Sequence, residues 1–125
     1  GSSVSLIIAQ RLSRRLCNEC KQLEDIPAIE LAKLGFSQQQ INDGITSFKA
    51  IGCNQCTKGY KGRVGIYEVM PMSDKIARMI LTGSNSLELS ERAQQEGMNT
   101  LRQSALKKVI DGVTSLLEVE RITNH

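Results

Sequence analysis

Val4, Ile8, Leu12 and Leu16 recur every fourth residue, and this spacing predicts an amphipathic helix over residues 4–16. Arg11, Arg14 and Arg15 fall beside that stripe near the helix end, where cations suit the negative pole of the dipole. The pattern then breaks. Residues 17–62 are polar and rich in glycine, with two short helices expected inside them. Pro27 opens one over Ala28 to Leu34 and Gly35 closes it. Ser37 caps a second over Gln38 to Asn42. Phe48 to Ile51 reads as a strand, and residues 59–62 read as a turn. Arg63 to Met70 alternates clearly and is the strongest strand signal. Val64, Ile66 and Glu68 share one face, Gly65, Tyr67 and Val69 the other, and Pro71 ends the run.

Beyond Pro71 the periodicity is helical. Ser73 is the expected cap of Asp74 to Leu81, and Ser86 of Leu87 to Glu96. Asn99 or Thr100 begins a helix reaching Asp111, with Leu101, Ala105, Leu106, Val109 and Ile110 inward. Ser115 and Glu118 have capping-box spacing ahead of Leu116, Val119 and Ile122. Glycines follow three of these segments, as Gly83, Gly97 and Gly112. The expected class is α+β: a cysteine module with a short sheet, then a C-terminal helical bundle. The expected organisation is 1–3, 4–16, 17–62 and 63–125. Gly1-Ser2, with no Met, resembles a remnant of a removed expression tag, and the abrupt apolar start resembles a cut from a longer protein.

Composition narrows the functions. With two Phe, two Tyr and no Trp among 125 residues, the core must be aliphatic. No apolar run approaches the ~18–20 residues of a membrane span. A net charge of +3 is too small for a dedicated nucleic-acid binder. The excess is concentrated, however. Arg11, Arg14, Arg15, Lys58, Lys61 and Arg63 form a candidate contact face, while the acids lie mostly in the second half. The plainer reading of the first three is a solvated flank. No phosphate-cradling G-x-x-x-x-G-K-[ST], G-x-S-x-G or G-x-G-x-x-G motif is present. The single histidine is the last residue, His125. Glu68 is read as facing solvent or pairing with an arginine rather than as catalytic.

The cysteines carry the clearest chemistry. Cys17-x-x-Cys20 and Cys53-x-x-Cys56 each set two sulfurs on one side of a tight turn, and two such turns supply four tetrahedral ligands for zinc. The 32 residues between the pairs exceed the usual ~15–20 of a zinc ribbon, leaving room for the two short helices. Two disulfides, an iron or iron–sulfur centre and a redox pair are the alternatives. Nothing in the sequence points to export, and Cys17 follows the expected helix rather than starting one, against a thioredoxin-like site. A closed site of four thiolates acts as a staple, tying the end of the first segment to the approach of the main strand. A zinc-ribbon nucleic-acid-binding domain remains the alternative from another class.

Three stretches together resemble one family. Gln10-Arg11-Leu12-Ser13-Arg14-Arg15-Leu16-Cys17-x-x-Cys20, then Gly62-Arg63-Val64-Gly65-Ile66-Tyr67-Glu68-Val69-Met70, then Gly97-Met98-Asn99-Thr100-Leu101-Arg102 with Gly112-Val113-Thr114-Ser115-Leu116 resemble, in order, the C-terminal region of the secretion ATPases of type IV pilus assembly and type II secretion. The likeness is greatest to the pilus-extension members, then to the type II secretion members; retraction members typically lack the tetracysteine module. Leu117 departs from the family, which often has Glu there. The resemblance implies a piece of a RecA-like hexameric motor that hydrolyses ATP with magnesium. It implies a cytoplasmic place at the inner face of the bacterial inner membrane, and contacts with neighbouring subunits and an inner-membrane platform protein. It gives Cys17, Cys20, Cys53 and Cys56 the role of zinc ligands. Without the nucleotide-binding motifs, this piece is expected to be inactive alone.

Overall fold

The computed structural model describes residues 4–123; the expectations for Gly1-Ser2 and His125 fall outside them. The first segment is a strand, not a helix. β1 (Ser5–Leu16) pairs antiparallel with β4 (Tyr60–Pro71), from Ser5 opposite Pro71 to Leu16 opposite Tyr60. A spacing of four fits a period of 2 as well as one of 3.6, so the stripe could not decide between them. Val4, Ile8 and Leu12 are 57, 45 and 48% exposed and only Leu16 is buried, so the stripe is no core face. What selects the strand is its partner: apart from Ile7 and Ile8 its residues are mostly helix formers (Leu, Ala, Gln, Arg), and pairing with β4 overrides that local preference.

β2 (Gln22–Glu24), which the sequence pattern does not announce, pairs antiparallel with β3 (Ser47–Lys49). Between them stand α1 (Ala28–Leu34) and α2 (Gln38–Asp43). Gly35 closes α1 at φ 115°, and Ser37 with Gln40 forms a capping box on α2. After β4 come α3 (Asp74–Leu81), α4 (Ser86–Gln95), α5 (Leu101–Ile110) and α6 (Leu116–Thr123). Ser73 caps α3 and Thr100 caps α5 as expected, but α4 is capped by Asn85 rather than Ser86. Glu68 is half-buried and pairs with no arginine among the described residues. Its carboxylate accepts the Leu101 N–H at 2.7 Å and so stabilises the positive end of α5. The class is α+β, with two two-stranded sheets among the described residues. None of their helices is long and apolar enough to cross a membrane.

Apolar burial divides in two. The larger core joins Leu31 and Phe36 from the α1 region, Ile66 of β4, Ala105, Leu106 and Val109 of α5, and Val119 and Ile122 of α6. The 17–62 segment therefore has no separate core; its first helix completes that of the C-terminal helices. The smaller cluster, Met70, Ile76, Ala93 and Met98, holds the α3–α4 hairpin against the end of β4.

Candidate metal centre

Cys17 and Cys20 lie on the turn leaving β1, Cys53 and Cys56 on the turn between β3 and β4. Backbone contacts bring these turns together: the Cys17 N–H donates to the Gly59 carbonyl at 2.9 Å. Gly59 has φ 93°, and a Cβ there would lie 2.6 Å from that of Ala50 and 2.7 Å from the Ile51 nitrogen. Only glycine permits this approach.

All four sulfurs lie within 4.8 Å of one another. Cys17–Cys53, Cys20–Cys56 and Cys53–Cys56 are 3.8, 3.7 and 3.6 Å apart. A regular tetrahedron with metal–sulfur bonds of ~2.3 Å has edges of about 3.8 Å. A disulfide needs ~2.05 Å, so none is formed here. Backbone N–H groups of Gly52 and Gln55 point at Cys20 Sγ and Cys53 Sγ, at 3.3 and 3.4 Å. Such donors favour thiolates and fix their direction.

The thiols oppose one another electrically. The Gln55 N–H favours ionised Cys53, but desolvation and the three neighbouring thiols push Cys53 up to about 12. Burial raises Cys56, yet hydrogen bonds from Cys53, Gly59 and Cys20 bring it down to about 7. Cys56 thus ionises more readily than an ordinary thiol while Cys20 and Cys53 resist, a conflict that a cation among them would remove.

A polar latch fastens this region to the C-terminal helices. Ser13 and Thr114 share a buried hydroxyl hydrogen bond of 2.7 Å, and Thr114 also donates to the Arg14 carbonyl. The Leu16 N–H donates to the Val113 carbonyl. Glu118, fully buried, accepts from the Arg14 backbone and guanidinium and from two nitrogens of Arg121 at 2.7–2.9 Å. Burial pushes its carboxyl up, but the hydrogen bonds of Arg121 and Arg14 outweigh this and hold it at about 2. Arg14 lies 4.2 Å over the Tyr60 ring, and the Tyr60 hydroxyl bonds Ser115 at 2.7 Å. Lys21 reaches the Gly112 carbonyl while lying over Phe48. By its spacing from Ser115, Glu118 is expected only as a capping residue. The Ser115 hydroxyl does accept the Glu118 N–H, but the carboxylate turns to the arginines. The available signal was an acid among Leu116, Leu117 and Val119 with Arg121 three residues on.

Three of the six cations of the expected basic face line one groove of about 590 Å³ beside Cys56. These are Arg14, Lys61 and Arg63, together with Asn54, Gln55, Thr57 and Tyr60. The stem of Arg15 lies over Gly62, which also lines the groove, and Lys58 occupies the adjacent turn at φ 54°. Arg11 is not among the lining residues; its guanidinium turns back to the Gln10 carbonyl.

Comparison with known proteins gives this arrangement a context. The chain is 46% identical to the type IV pilus assembly ATPase PilB of Acinetobacter baylyi over its whole length, and 46% identical to PilB of Pseudomonas aeruginosa over 98% of it. It is 34% identical over its whole length to the type II secretion system protein E of Klebsiella pneumoniae. It spans 22% of each PilB and 24% of the type II protein, so it corresponds to under a quarter of these relatives. Residues 1–121 match the family model described as type II/IV secretion system protein, and the chain belongs to that family.

Proposed function

We propose that the chain is the metal-stapled C-terminal part of a hexameric motor ATPase that powers type IV pilus assembly. One observation carries the metal reading: four sulfurs from two distant turns stand at the edge lengths of a thiolate tetrahedron. Cys17, Cys20, Cys53 and Cys56 fit zinc, whose d shell imposes no geometry of its own. The set contains no carboxylate, imidazole or open position, so the ion serves as a staple between β1 and the approach to β4. ATP and magnesium act in the rest of the longer protein. The pilus reading rests on 46% identity to pilus assembly ATPases against 34% to a type II secretion relative.

The β1–β4 ribbon supports the expectation of a RecA-like body. Along the second half of β1 the outer edge is closed by helix α6 and its turn: the Leu12 carbonyl accepts from Arg121, the Arg14 N–H donates to Glu118 while its carbonyl accepts from Thr114, and the Leu16 N–H donates to the Val113 carbonyl. Along the first half no third strand pairs among the described residues, and Leu6, Ile7 and Ile8 are 45–60% exposed. That half is where the sheet of the nucleotide-binding body would continue. The basic groove faces a neighbouring subunit or the platform protein at the inner membrane.

Elemental analysis tests the staple: one zinc per folded chain is expected, and a fully folded chain without metal overturns it. For the motor, Cys53→Ser in the full-length protein is expected to stop pilus assembly. Normal piliation by a metal-free variant would refute that role.

A further inference from the structure

The groove beside Cys56 gathers Arg14, Lys61 and Arg63, and only Arg14 of these meets a carboxylate among the described residues. A zinc held by four thiolates would carry a net charge of about −2 at its edge and offset part of this positive charge, leaving an excess on the outer rim. The side chains of Arg15, Lys58, Lys61 and Arg63 make no ion pair or hydrogen bond among the described residues. Arg63 stands directly across the ladder from Arg14. Like charges in register across two strands destabilise a sheet. Glu118 relieves Arg14 and leaves Arg63 without a carboxylate partner among the described residues. Arg14, held between Glu118 and the Tyr60 ring, is a fixed wall; Lys61 and Arg63 are exposed and free to meet a ligand.

We propose that this groove binds an extended acidic segment of a partner protein through at least two carboxylates. The inference rests on reading this face as the docking surface of the module, and adds the chemistry of what docks. Fixed carboxylates suit Lys61 and Arg63. Asn54, Gln55 and Thr57 offer the amide and hydroxyl groups that pair with a peptide backbone. A bilayer fits poorly, because the site is concave and no exposed large apolar side chain lines it as an anchor. A nucleic acid fits poorly too. The single aromatic lining residue, Tyr60, is 6% exposed, and Arg14 covers its ring, so no face is left for base stacking.

The test uses the 125-residue chain and a fluorescein-labelled hexaglutamate peptide, followed by anisotropy. Saturable binding is expected, with none for hexaglutamine, and loss of binding in about 0.5 M salt, where charges are screened within a few ångströms. Lys61→Glu combined with Arg63→Glu is expected to weaken binding about tenfold or more. Lys75→Glu, an exposed charge change on α3, is expected to leave it unchanged. Equal effects of the two charge changes, or no binding, would overturn the proposal. So would inorganic phosphate, phosphatidylglycerol vesicles or oligothymidylate binding more tightly than the peptide. Metal content and circular dichroism are read on every variant. A metal-loaded, folded chain that ignores the peptide defeats the groove alone, whereas a folded, metal-free chain defeats the staple whatever the peptide does.

Discussion

The cysteine turns with α1, α5 and α6 form one region, and the α3–α4 hairpin forms another, and the two are held by different means. The first is tied across long stretches of chain. Four sulfurs join residues 17–20 to 53–56, Glu118 joins α6 to β1, and Arg102 joins α5 to the Leu34 carbonyl, Thr123 and Glu120. The second rests on a small methionine-rich cluster and on Glu96, which accepts from Ser73 and Arg92. Its surface leaves Leu81 86% and Leu87 67% exposed. Both regions have well-capped helices, so local helix signals do not set the difference. It comes from how many distant contacts each helix makes after it forms, and local opening is expected in the hairpin first.

Removing the metal should separate the regions most. Apparent binding free energies of four-ligand zinc sites reach on the order of 10 kcal/mol, so chelation is expected to cost several kcal/mol of stability. Hydrogen exchange should show protection lost at residues 17–24 and 47–60. The loss should stop at α1, because Leu31 and Phe36 sit in the larger core. Protection across residues 74–95 should not change. Uniform loss over both regions would mean that they unfold as one unit.

Glu118 offers a second, smaller break. Its carboxyl is held at about 2, below the ~4.3 of an unfolded chain, so it binds its proton less readily when folded. The stability this contributes is fully present above about pH 4.5. It is lost as the pH falls from there towards 2, and amounts to about 2–3 kcal/mol. Glu118→Gln should flatten the decline of Tm between pH 5 and 3 relative to the unaltered chain. An equal decline in both would show that the carboxylate is not the group responsible.

What could be read in the sequence follows the range of each signal. Capping residues lie within three positions of the N–H groups they serve, so Ser37, Ser73 and Thr100 were legible, and α4 was misplaced by a single residue. The four cysteines were legible because CxxC spacing is itself a local geometry. Strand β1 was not, since its partner lies at residues 60–71 and a four-residue stripe suits either period. The latch was hidden for the same reason: the Arg14 backbone meets Glu118 across 104 positions. Buried polar pairs of that separation leave only an oddity, here an acid set among leucines and valines.

A matched pair of cap deletions gives the smallest effect and the sharpest form of the comparison. Thr100 and Asn85 both hold capping boxes, on α5 and α4. Removing either hydroxyl or amide as Thr100→Ala or Asn85→Ala deletes similar hydrogen bonds, each worth about 1 kcal/mol. If the regions differ as their contacts indicate, the two losses should appear in different measurements. Helix α5 lies in the larger core, so Thr100→Ala should lower the Tm of the whole chain by a few degrees. Helix α4 opens before global unfolding, so Asn85→Ala should leave that Tm within error and speed exchange at residues 86–95. Equal shifts in Tm would show that the hairpin is as tightly coupled as the rest.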